Sequence, residues 1–451
     1  MEETKKQIQS DLKGTLSLFD VVCIIVGVIV GTGIFMTPPL IAGYLSSGSW
    51  ILFLWFLGGL FSLIGALCYA ELATTYPKAG GDYWYLTRAY GNWSGFLFAW
   101  TKLWVTGTGS IAAISYIVGE YATALLPFQY SNIIYSLIAV IGCTVINCLG
   151  IQQGKITQNI LTIAKVIGLI LVFLVAFLLE SPENAAPPSF ELTFGSFFMA
   201  LIFVQFTFGG WNECAYIAAE VKNPSRNIVR SLVIGLFTVT TIYLLVNAAF
   251  IHALGVQGLA QSEAVAADVF IRFWGSTGGR IVSALILISA LGAVNGYVLT
   301  GARIYYTMGH EHALFSFMGK WNDRLQTPIR ALIVQGLITS VLVLSGQFEA
   351  LIRYTTPAHW MFFVLTGISL FILRYRDSDI VRPYRVHFYP VTPIIFILSS
   401  GALFYSGLNY AGLSAIIGFL IVLAGLPFYF LSEKMEKRHG VVRTENQEES
   451  L

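Results

Sequence analysis

The sequence predicts an all-α membrane protein with about twelve transmembrane helices, two of them broken. Of its 451 residues, 56% are hydrophobic and only 11% are charged, and the mean hydropathy is +0.72. Soluble domains typically carry about 25% charged residues, so this composition excludes a soluble globular domain. Two apolar stretches are interrupted by glycines near their centres, in Gly31-Thr32-Gly33 and in Gly209-Gly210. These interruptions predict the broken helices.

Each predicted span is an apolar window that approaches the ~20 residues a helix needs to cross about 30 Å of hydrocarbon. The windows lie near residues 16–41, 50–72, 95–121, 133–148, 160–179, 197–217, 232–251, 281–299, 331–344, 358–373, 393–408 and 413–431. The window at 331–344 is short for a full span, so we expect this helix to extend into its flanks.

The positions of the positive charges predict the orientation in the membrane. Most Lys and Arg residues lie in the termini and in connections after even-numbered spans, with a cluster of arginines at 374–385. The connections near 120–132 and 180–196 contain no Lys or Arg. Because Lys- and Arg-rich connections stay cytoplasmic, both termini are predicted to be cytoplasmic. The expected location is the plasma (inner) membrane.

The breaks and the span count predict two structural repeats. A cytoplasmic N-terminus is predicted at 1–15, a first repeat of spans 1 to 5 at 16–179, a second repeat of spans 6 to 10 at 180–375, spans 11 and 12 at 376–431, and a cytoplasmic tail at 432–451. Each repeat opens with a broken span, and five spans per repeat invert the second repeat relative to the first. The first 15 residues lack a signal-peptide pattern, so none is expected.

The cysteines have neither metal-ligand spacing nor an exterior pair. All of them fall in or at the edges of predicted spans, and we expect them to be packing residues. They are Cys23, Cys68, Cys143, Cys148 and Cys214.

Broken spans carry the functional prediction. An interrupted membrane helix leaves backbone N–H and C=O groups unpaired, which a protein tolerates only where the break is buried in protein or lines a cavity. Corresponding breaks in two halves of a chain indicate a secondary transporter with its binding site near the middle of the bilayer. Close helix packing is the alternative explanation for the glycines, since small residues are common at membrane interfaces.

Several motifs in order along the chain carry a family resemblance. They include Gly31-Thr32-Gly33-Ile34-Phe35, Gly80-Gly81-Asp82-Tyr83, Gly209-Gly210-Trp211-Asn212, Asn223-Pro224-Ser225-Arg226-Asn227 and Arg382-Pro383-Tyr384-Arg385. Together these segments resemble the L-type amino acid transporter family over almost the whole chain. The resemblance implies the LeuT-type fold of the amino acid, polyamine and organocation superfamily, a 5+5 inverted repeat followed by two C-terminal helices. It also implies sodium-independent amino acid transport, commonly by exchange.

The resemblance bears on partners as well. Animal members of the family join a glycoprotein through a cysteine in the exterior loop after span 3, but this loop, 120–132, contains none. No disulfide-linked heavy subunit is therefore expected, and the chain resembles the stand-alone prokaryotic members. The expected partners are a small-molecule amino acid and the lipid bilayer.

The breaks offer the groups that an amino acid needs, because each of its charges requires a partner in a low-dielectric site. Free N–H groups and the positive dipole end after the first break suit the carboxylate, and carbonyls at both breaks suit the ammonium. The predicted carboxylate ligands are Thr32, Gly33 and Ile34, and the predicted ammonium ligands are Ile29, Val30, Phe206, Thr207 and Phe208. Gly31 and Gly209 complete the two binding segments.

The family resemblance assigns two further roles. Phe206 matches the position of an aromatic gate that closes the site from outside. Lys165, inside predicted span 5, matches the position where a lysine replaces a second sodium ion and bridges the broken part of span 1 to spans 5 and 8. The alternatives are a proton-carrying lysine or a side chain that snorkels to the interface, and as an intramembrane charge it needs a partner in any case.

Other polar residues in the spans leave alternatives open. Four roles are open for Glu213, just after the second break. It selects a cationic substrate, it titrates during transport, it pairs with Lys102 in span 3, or it faces away from the substrate. Asn212 and Asn295 contact substrate or hold helices in register, the commoner role of such side chains. Among loop charges, Glu220, Lys222 and Arg226 form gate pairs or are simply solvated.

Enzyme chemistry has little support. The His residues are scattered, no Walker-type motif occurs, and the glycine-rich runs do not follow a strand, so no metal, cofactor or nucleic acid is expected. The favoured function is sodium-independent exchange of neutral amino acids by alternating access. The competing functions are proton-coupled or cationic amino acid or polyamine transport, and a receptor that binds amino acids without moving them.

Overall fold

The computed structural model describes residues 14–182, 193–346 and 348–438. In these ranges the chain is helical, and its only extended pairings are isolated bridges. The helices are α1 (Leu18–Ile29), α2 (Gly33–Tyr44), α3 (Gly48–Thr75), α4 (Asp82–Tyr90), α5 (Asn92–Thr101), α6 (Gly107–Leu125), α7 (Ser131–Cys148), α8 (Ile151–Leu178), α9 (Phe194–Thr207), α10 (Glu213–Tyr216), α11 (Pro224–Gln261), α12 (Val265–Trp274), α13 (Ser276–Glu311), α14 (Ile329–Leu344), α15 (Phe348–Arg376), α16 (Val391–Ala411) and α17 (Ser414–Arg438).

The helices confirm an all-α membrane protein. Eight described helices are long and apolar enough to cross a membrane, and the bent pair α1 and α2 makes a ninth. The remaining predicted spans correspond to the shorter helices α9 and α14 and to α5 and α6, which a π-helical segment at Lys102–Thr106 separates. The expected extension of the 331–344 window is small, because α14 gains only two residues at its start.

Two of the predicted segments fall largely outside the described residues. These are the N-terminus at 1–15, of which 14 and 15 are described, and the tail at 432–451, of which 432–438 are described. The division into two inverted repeats stays a prediction. All five cysteines are free, and all except Cys148 are buried, as expected for packing residues.

The first break separates α1 from α2 with a bend of 47°. A capping box fixes the start of α1: the Ser17 hydroxyl accepts from the Asp20 N–H at 3.2 Å, and the Ser17 N–H donates to the Asp20 carboxylate at 2.9 Å. The helix ends at Ile29, because Val30 leaves the helical region with ψ of 80°. A new helix then begins at Gly33.

The second break lies between α9 and the four-residue helix α10. Gly210 has φ of +107°, a conformation that side-chain-bearing residues rarely adopt. A Cβ atom at Gly210 would also lie 2.6 Å from the Val28 side chain of α1. The second break therefore requires a glycine here, both for its backbone conformation and for its close approach to α1.

The two breaks pack against each other. A Cβ on Gly33 would meet the Thr207 methyl at 3.0 Å, and the hydroxyls of Thr37 and Thr207 lie 3.0 Å apart. A buried aromatic layer supports the second break, because the ring of Phe208 packs on Trp55 and Tyr243 with centroid distances of 6.1 and 5.0 Å. The fold thus brings both sets of unpaired backbone groups to one place.

Candidate functional site

The N-terminal end of α2 presents unpaired donors beside the first break. The N–H groups of Thr32, Gly33 and Ile34 donate to no acceptor among the described residues, and the first bond of this turn is from the Phe35 N–H to the Thr32 carbonyl, at 3.0 Å. Such an end binds anions through free N–H groups and the positive end of the helix dipole. The predicted carboxylate ligands are therefore available in this structure.

Open space lies next to these donors. A Cβ added to Gly31 would have no atom within 4 Å, and one on Gly209 would meet only the Phe206 carbonyl, at 3.3 Å. Gly31, Thr32 and Gly209 are each partly exposed, although they lie among buried neighbours. This combination is that of a binding site lined by backbone.

The carbonyls at the end of α1 are more occupied than the sequence suggests. The Ile29 carbonyl accepts from the Gly31 N–H at 2.8 Å and from the Tyr243 hydroxyl at 3.1 Å. The Val30 carbonyl accepts from Lys165 at 2.7 Å and from the Ser289 hydroxyl at 3.0 Å. A carbonyl oxygen has two lone pairs, so these two predicted ammonium ligands are not free in this structure.

Other carbonyls at the breaks remain available. The Phe208 carbonyl accepts no hydrogen bond from any described residue. The Gly31 carbonyl lies 3.1 Å from the Ser289 hydroxyl, whose single hydrogen it shares with the Val30 carbonyl. The Thr207 carbonyl receives only a long bond of 3.4 Å from Tyr243. The acceptors for an ammonium are therefore best sought at Gly31, Thr207 and Phe208.

Lys165 lies where the sequence places it, on α8 and against the first break. Its side chain is buried, and Nζ donates to the carbonyls of Gly27 and Val30 at 2.7 Å and of Ser289 at 2.8 Å. Gly292 makes room for it, since a Cβ there would lie 2.8 Å from Nζ. The three donors of the ammonium are thus all used, and they link α1, α8 and α13.

Phe206, the predicted gate, is 54% exposed. More than half of its side-chain surface is therefore accessible in this structure. Asn212 is buried instead: its Nδ2 donates to the Tyr216 hydroxyl at 2.7 Å, while its Oδ1 has no partner. Unpartnered buried oxygens are rare, so Asn212 keeps an acceptor for a substrate or water.

Asn295 joins helices. Its Nδ2 donates to Gln158 at 2.8 Å and to the Gly154 carbonyl at 3.2 Å, and its Oδ1 accepts from Asn147 at 2.8 Å. These partners lie on α7 and α8, while Asn295 lies on α13. The contacts favour a role in holding three helices in register over contact with a substrate.

Glu213 forms a buried ion pair with Lys102 at 3.1 Å. Its second oxygen accepts from the Thr300 hydroxyl at 2.5 Å. Lys102 opens the π-helical segment Lys102–Thr106, and such segments are frequent at functional sites. Of the alternatives for Glu213, the structure contains the pair with Lys102.

Sequence reasoning missed several partners in this region. Glu220 pairs with Arg303 through two bonds of 2.8 and 2.9 Å, rather than with Lys222 or Arg226. Ser289 and Tyr243 contact the first break but lie far along the chain, where no local signal marks them. In the part of the chain that the structure describes, no group of His, Cys, Asp or Glu is arranged to hold a metal ion.

The fold and the two facing breaks define a membrane permease. A family model described as amino acid permease matches residues 16–432, and the chain belongs to this family. It is 32% identical to the b(0,+)-type amino acid transporter 1 of Mus musculus, over 95% of this chain and 91% of that protein.

Two further relatives are also similar to this chain over most of its length. The chain is 30% identical to the Asc-type amino acid transporter 1 of Mus musculus, over 93% of this chain and 81% of the relative. It is 29% identical to the serine/threonine exchanger SteT of Bacillus subtilis strain 168, over 94% of this chain and 98% of the relative. These relatives confirm the resemblance to the L-type amino acid transporters, and the family is one of permeases, not of enzymes.

Proposed function

We propose that the protein exchanges neutral amino acids across the plasma membrane by alternating access, without sodium. The observation that carries the proposal is the position of Lys165, whose ammonium donates to the carbonyls of Gly27, Val30 and Ser289. A sodium ion would bind such a set of carbonyl oxygens. Because the Lys165 ammonium already donates hydrogen bonds to these oxygens, the first break is held together without a bound metal ion.

Recognition of the amino acid group is mainly by backbone. The substrate carboxylate binds the N–H groups of Thr32, Gly33 and Ile34. The ammonium binds the carbonyl of Phe208 and that of Gly31, which has a second lone pair besides its bond from Ser289. Asn212 contributes its unpartnered Oδ1. Phe206 closes over the bound substrate from its present exposed position.

A preference for neutral side chains follows from the pairing of Glu213. Its carboxylate is neutralised by Lys102 and hydrogen-bonded by Thr300, so it offers no free charge to a cationic substrate. Binding a cationic side chain there would require breaking a buried ion pair, which costs about 3–5 kcal/mol.

The chain is proposed to work with both termini cytoplasmic and without a disulfide-linked heavy subunit. Two features of the sequence support this: the Lys- and Arg-rich connections, and the absence of cysteine from the 120–132 loop.

A substrate panel tests the proposal. Purified protein in liposomes loaded with a mixture of unlabelled neutral amino acids is given labelled neutral or cationic amino acids, with sodium replaced by choline. We expect uptake of neutral amino acids at the same rate in both salts, and little uptake of lysine or arginine. Uptake that requires sodium, or that prefers the cationic amino acids, would overturn it.

A further inference from the structure

Every buried carboxylate but one has its own cation in the part of the chain that the structure describes. Those with a partner are Asp20 with Lys155, Glu71 with Arg374, Glu213 with Lys102, Glu220 with Arg303, and Asp377 with Arg88. The exception is Asp82, which is only 1% exposed. An isolated buried carboxylate is costly in its charged form.

The two oxygens of Asp82 differ. Oδ1 accepts from the hydroxyls of Tyr69 at 2.7 Å and Thr366 at 2.6 Å. Oδ2 is buried and has no partner. The carboxyl lines a small cavity of about 10 Å³ together with Lys102 and His359. This volume is close to the minimum for one water molecule.

One ammonium lies near two carboxylates, because Lys102 lines the cavity with Asp82 and also pairs with Glu213. Lys102 Nζ makes a single hydrogen bond, to Glu213, although it has three donors. If Asp82 and Glu213 were both ionised, the cluster would carry one excess negative charge in a buried site. Adding one proton makes it neutral.

Among the residues that the structure describes, no other group near Asp82 supplies a fixed positive charge. The titratable groups that face it are Tyr69 on α3, Tyr85 on its own helix, Lys102 in the π-helical segment, Glu213, Cys214 and Tyr216 on α10, and His359 on α15. Helix α4 lies between the predicted spans 2 and 3. Burial raises the pKa of the Asp82 carboxyl, and the hydrogen bonds from Thr366 and Tyr69, the charge of Lys102 and a hydrogen bond from Tyr216 only partly oppose this.

We propose that Asp82 is a proton-binding site, and that its protonation decides whether Lys102 pairs with Glu213 or with Asp82. With the proton on Oδ2, Asp82 is neutral and Lys102 stays with Glu213, as in this structure. When the proton leaves through the cavity, the ionised carboxylate attracts Lys102 away from Glu213. No other reactant is needed, since the step is a proton transfer to water.

The site is connected to the second break. The Gly80 N–H, two residues before Asp82, donates to the Tyr216 carbonyl of α10 at 2.9 Å. A Cβ on Gly81 would lie 2.9 Å from the Ala215 backbone, so α4 packs directly on α10. Because α10 also carries Glu213, a change of partner by Lys102 alters what holds this short helix in place.

Infrared difference spectroscopy of the purified full-length protein between acidic and alkaline buffer tests the site without measuring transport. A protonated buried carboxyl gives a C=O stretching band that the ionised form lacks. We expect this band in the wild-type protein at acidic pH, its loss as pH rises, and its absence from Asp82→Asn. Asparagine keeps an oxygen for the bonds from Tyr69 and Thr366, so this variant is expected to fold.

Two more variants separate the proposal from a general effect. In Glu213→Gln, Lys102 has only Asp82 left as a carboxylate partner, so Asp82 ionises and the band is lost. In Asp20→Asn, a carboxyl that has its own lysine is removed, and the band stays. A wild-type protein without the band, an Asp82→Asn or Glu213→Gln protein that keeps it, or an Asp20→Asn protein that loses it would overturn the proposal. None of these results depends on the amino acid exchange proposed above.

Discussion

The ammonium of Lys165 lies 2.7 Å from the carbonyl oxygen of Val30, the residue that directly follows the end of α1. The broken end of α1 is thereby bound by the ammonium of a residue on α8. An unpaired carbonyl in this environment costs several kcal/mol. The interaction therefore stabilises the break itself, and with it the free N–H groups that face the open space at Gly31.

Removing this ammonium should affect both stability and exchange. Lys165→Met removes the donor to the carbonyls of Gly27, Val30 and Ser289, and of these the Val30 carbonyl keeps its bond from the Ser289 hydroxyl. A buried carbonyl left unpaired costs about 1–3 kcal/mol. We expect a lower unfolding temperature in detergent and an exchange rate reduced at least about tenfold, equivalent to ~1.4 kcal/mol.

The matched control is Lys155→Met, on the same helix. Lys155 pairs with Asp20 at 3.2 Å and makes no bond to the break. We expect it to retain far more exchange than Lys165→Met. Equal losses in the two variants would show that any lysine on α8 matters, and that the contact with the break does not.

A methyl group should raise the KM for amino acids at one glycine of the first broken span and leave it unchanged at another. Gly31→Ala and Gly43→Ala both place Cβ in open space, but only Gly31 lies beside the free N–H groups. We expect both proteins to fold, with Gly31→Ala raising the KM for amino acids about tenfold or more and Gly43→Ala leaving it unchanged. The measurement is concentration-dependent uptake into loaded liposomes, and an unchanged KM in Gly31→Ala would argue against substrate at this position.

The pair Lys102 and Glu213 should show strong coupling in a double-mutant cycle. Lys102→Met leaves a buried carboxylate without its cation, which costs about 3–5 kcal/mol. The double variant Lys102→Met, Glu213→Gln removes both charges and should recover most of this stability. The free energy of unfolding of all four proteins gives the coupling, and additive losses would mean that the pair is not formed.

Asn295 should act on stability alone. Asn295→Ala removes contacts with Asn147, Gln158 and the Gly154 carbonyl. Hydrogen bonds between membrane helices contribute about 0.6 kcal/mol on average and up to ~1.7, so we expect a lower unfolding temperature with an unchanged KM. A selective change in KM or in substrate preference would instead place Asn295 in the substrate site.

Phe206 should act on transport alone. Its side chain is 54% exposed, so Phe206→Ala should change stability by no more than about 0.5 kcal/mol. Because Phe206 is the proposed gate, its replacement by alanine should nevertheless lower the exchange rate severalfold. Phe237→Ala, which removes a 73% exposed ring from α11, is the control with no expected effect. Equal exchange by both variants would remove Phe206 from the gating role.

The breaks were predictable because their signals are local. Gly31 and Gly33 interrupt one apolar window and Gly209 and Gly210 another, and the structure ends α1 and α9 at these points. Lys165 was predictable for a related reason, since a charge inside an apolar span needs a partner.

Long-range contacts were not predictable in the same way. Ser289 and Tyr243 occupy acceptors at the first break, so we now expect the ammonium ligands at carbonyls other than those of Ile29 and Val30. Asp82 was visible only as part of a motif, because its lack of a cation becomes apparent only after every other buried carboxylate has been matched. Such pairings depend on helix packing that periodicity and composition do not encode.

Uptake of a labelled neutral amino acid into liposomes, with sodium absent and pH equal on both sides, tests the central claim most directly. The vesicles are either empty or loaded with unlabelled amino acid. Exchange predicts rapid uptake into loaded vesicles and almost none into empty ones. Equal uptake into both, or no uptake until a sodium or proton gradient is imposed, would contradict it.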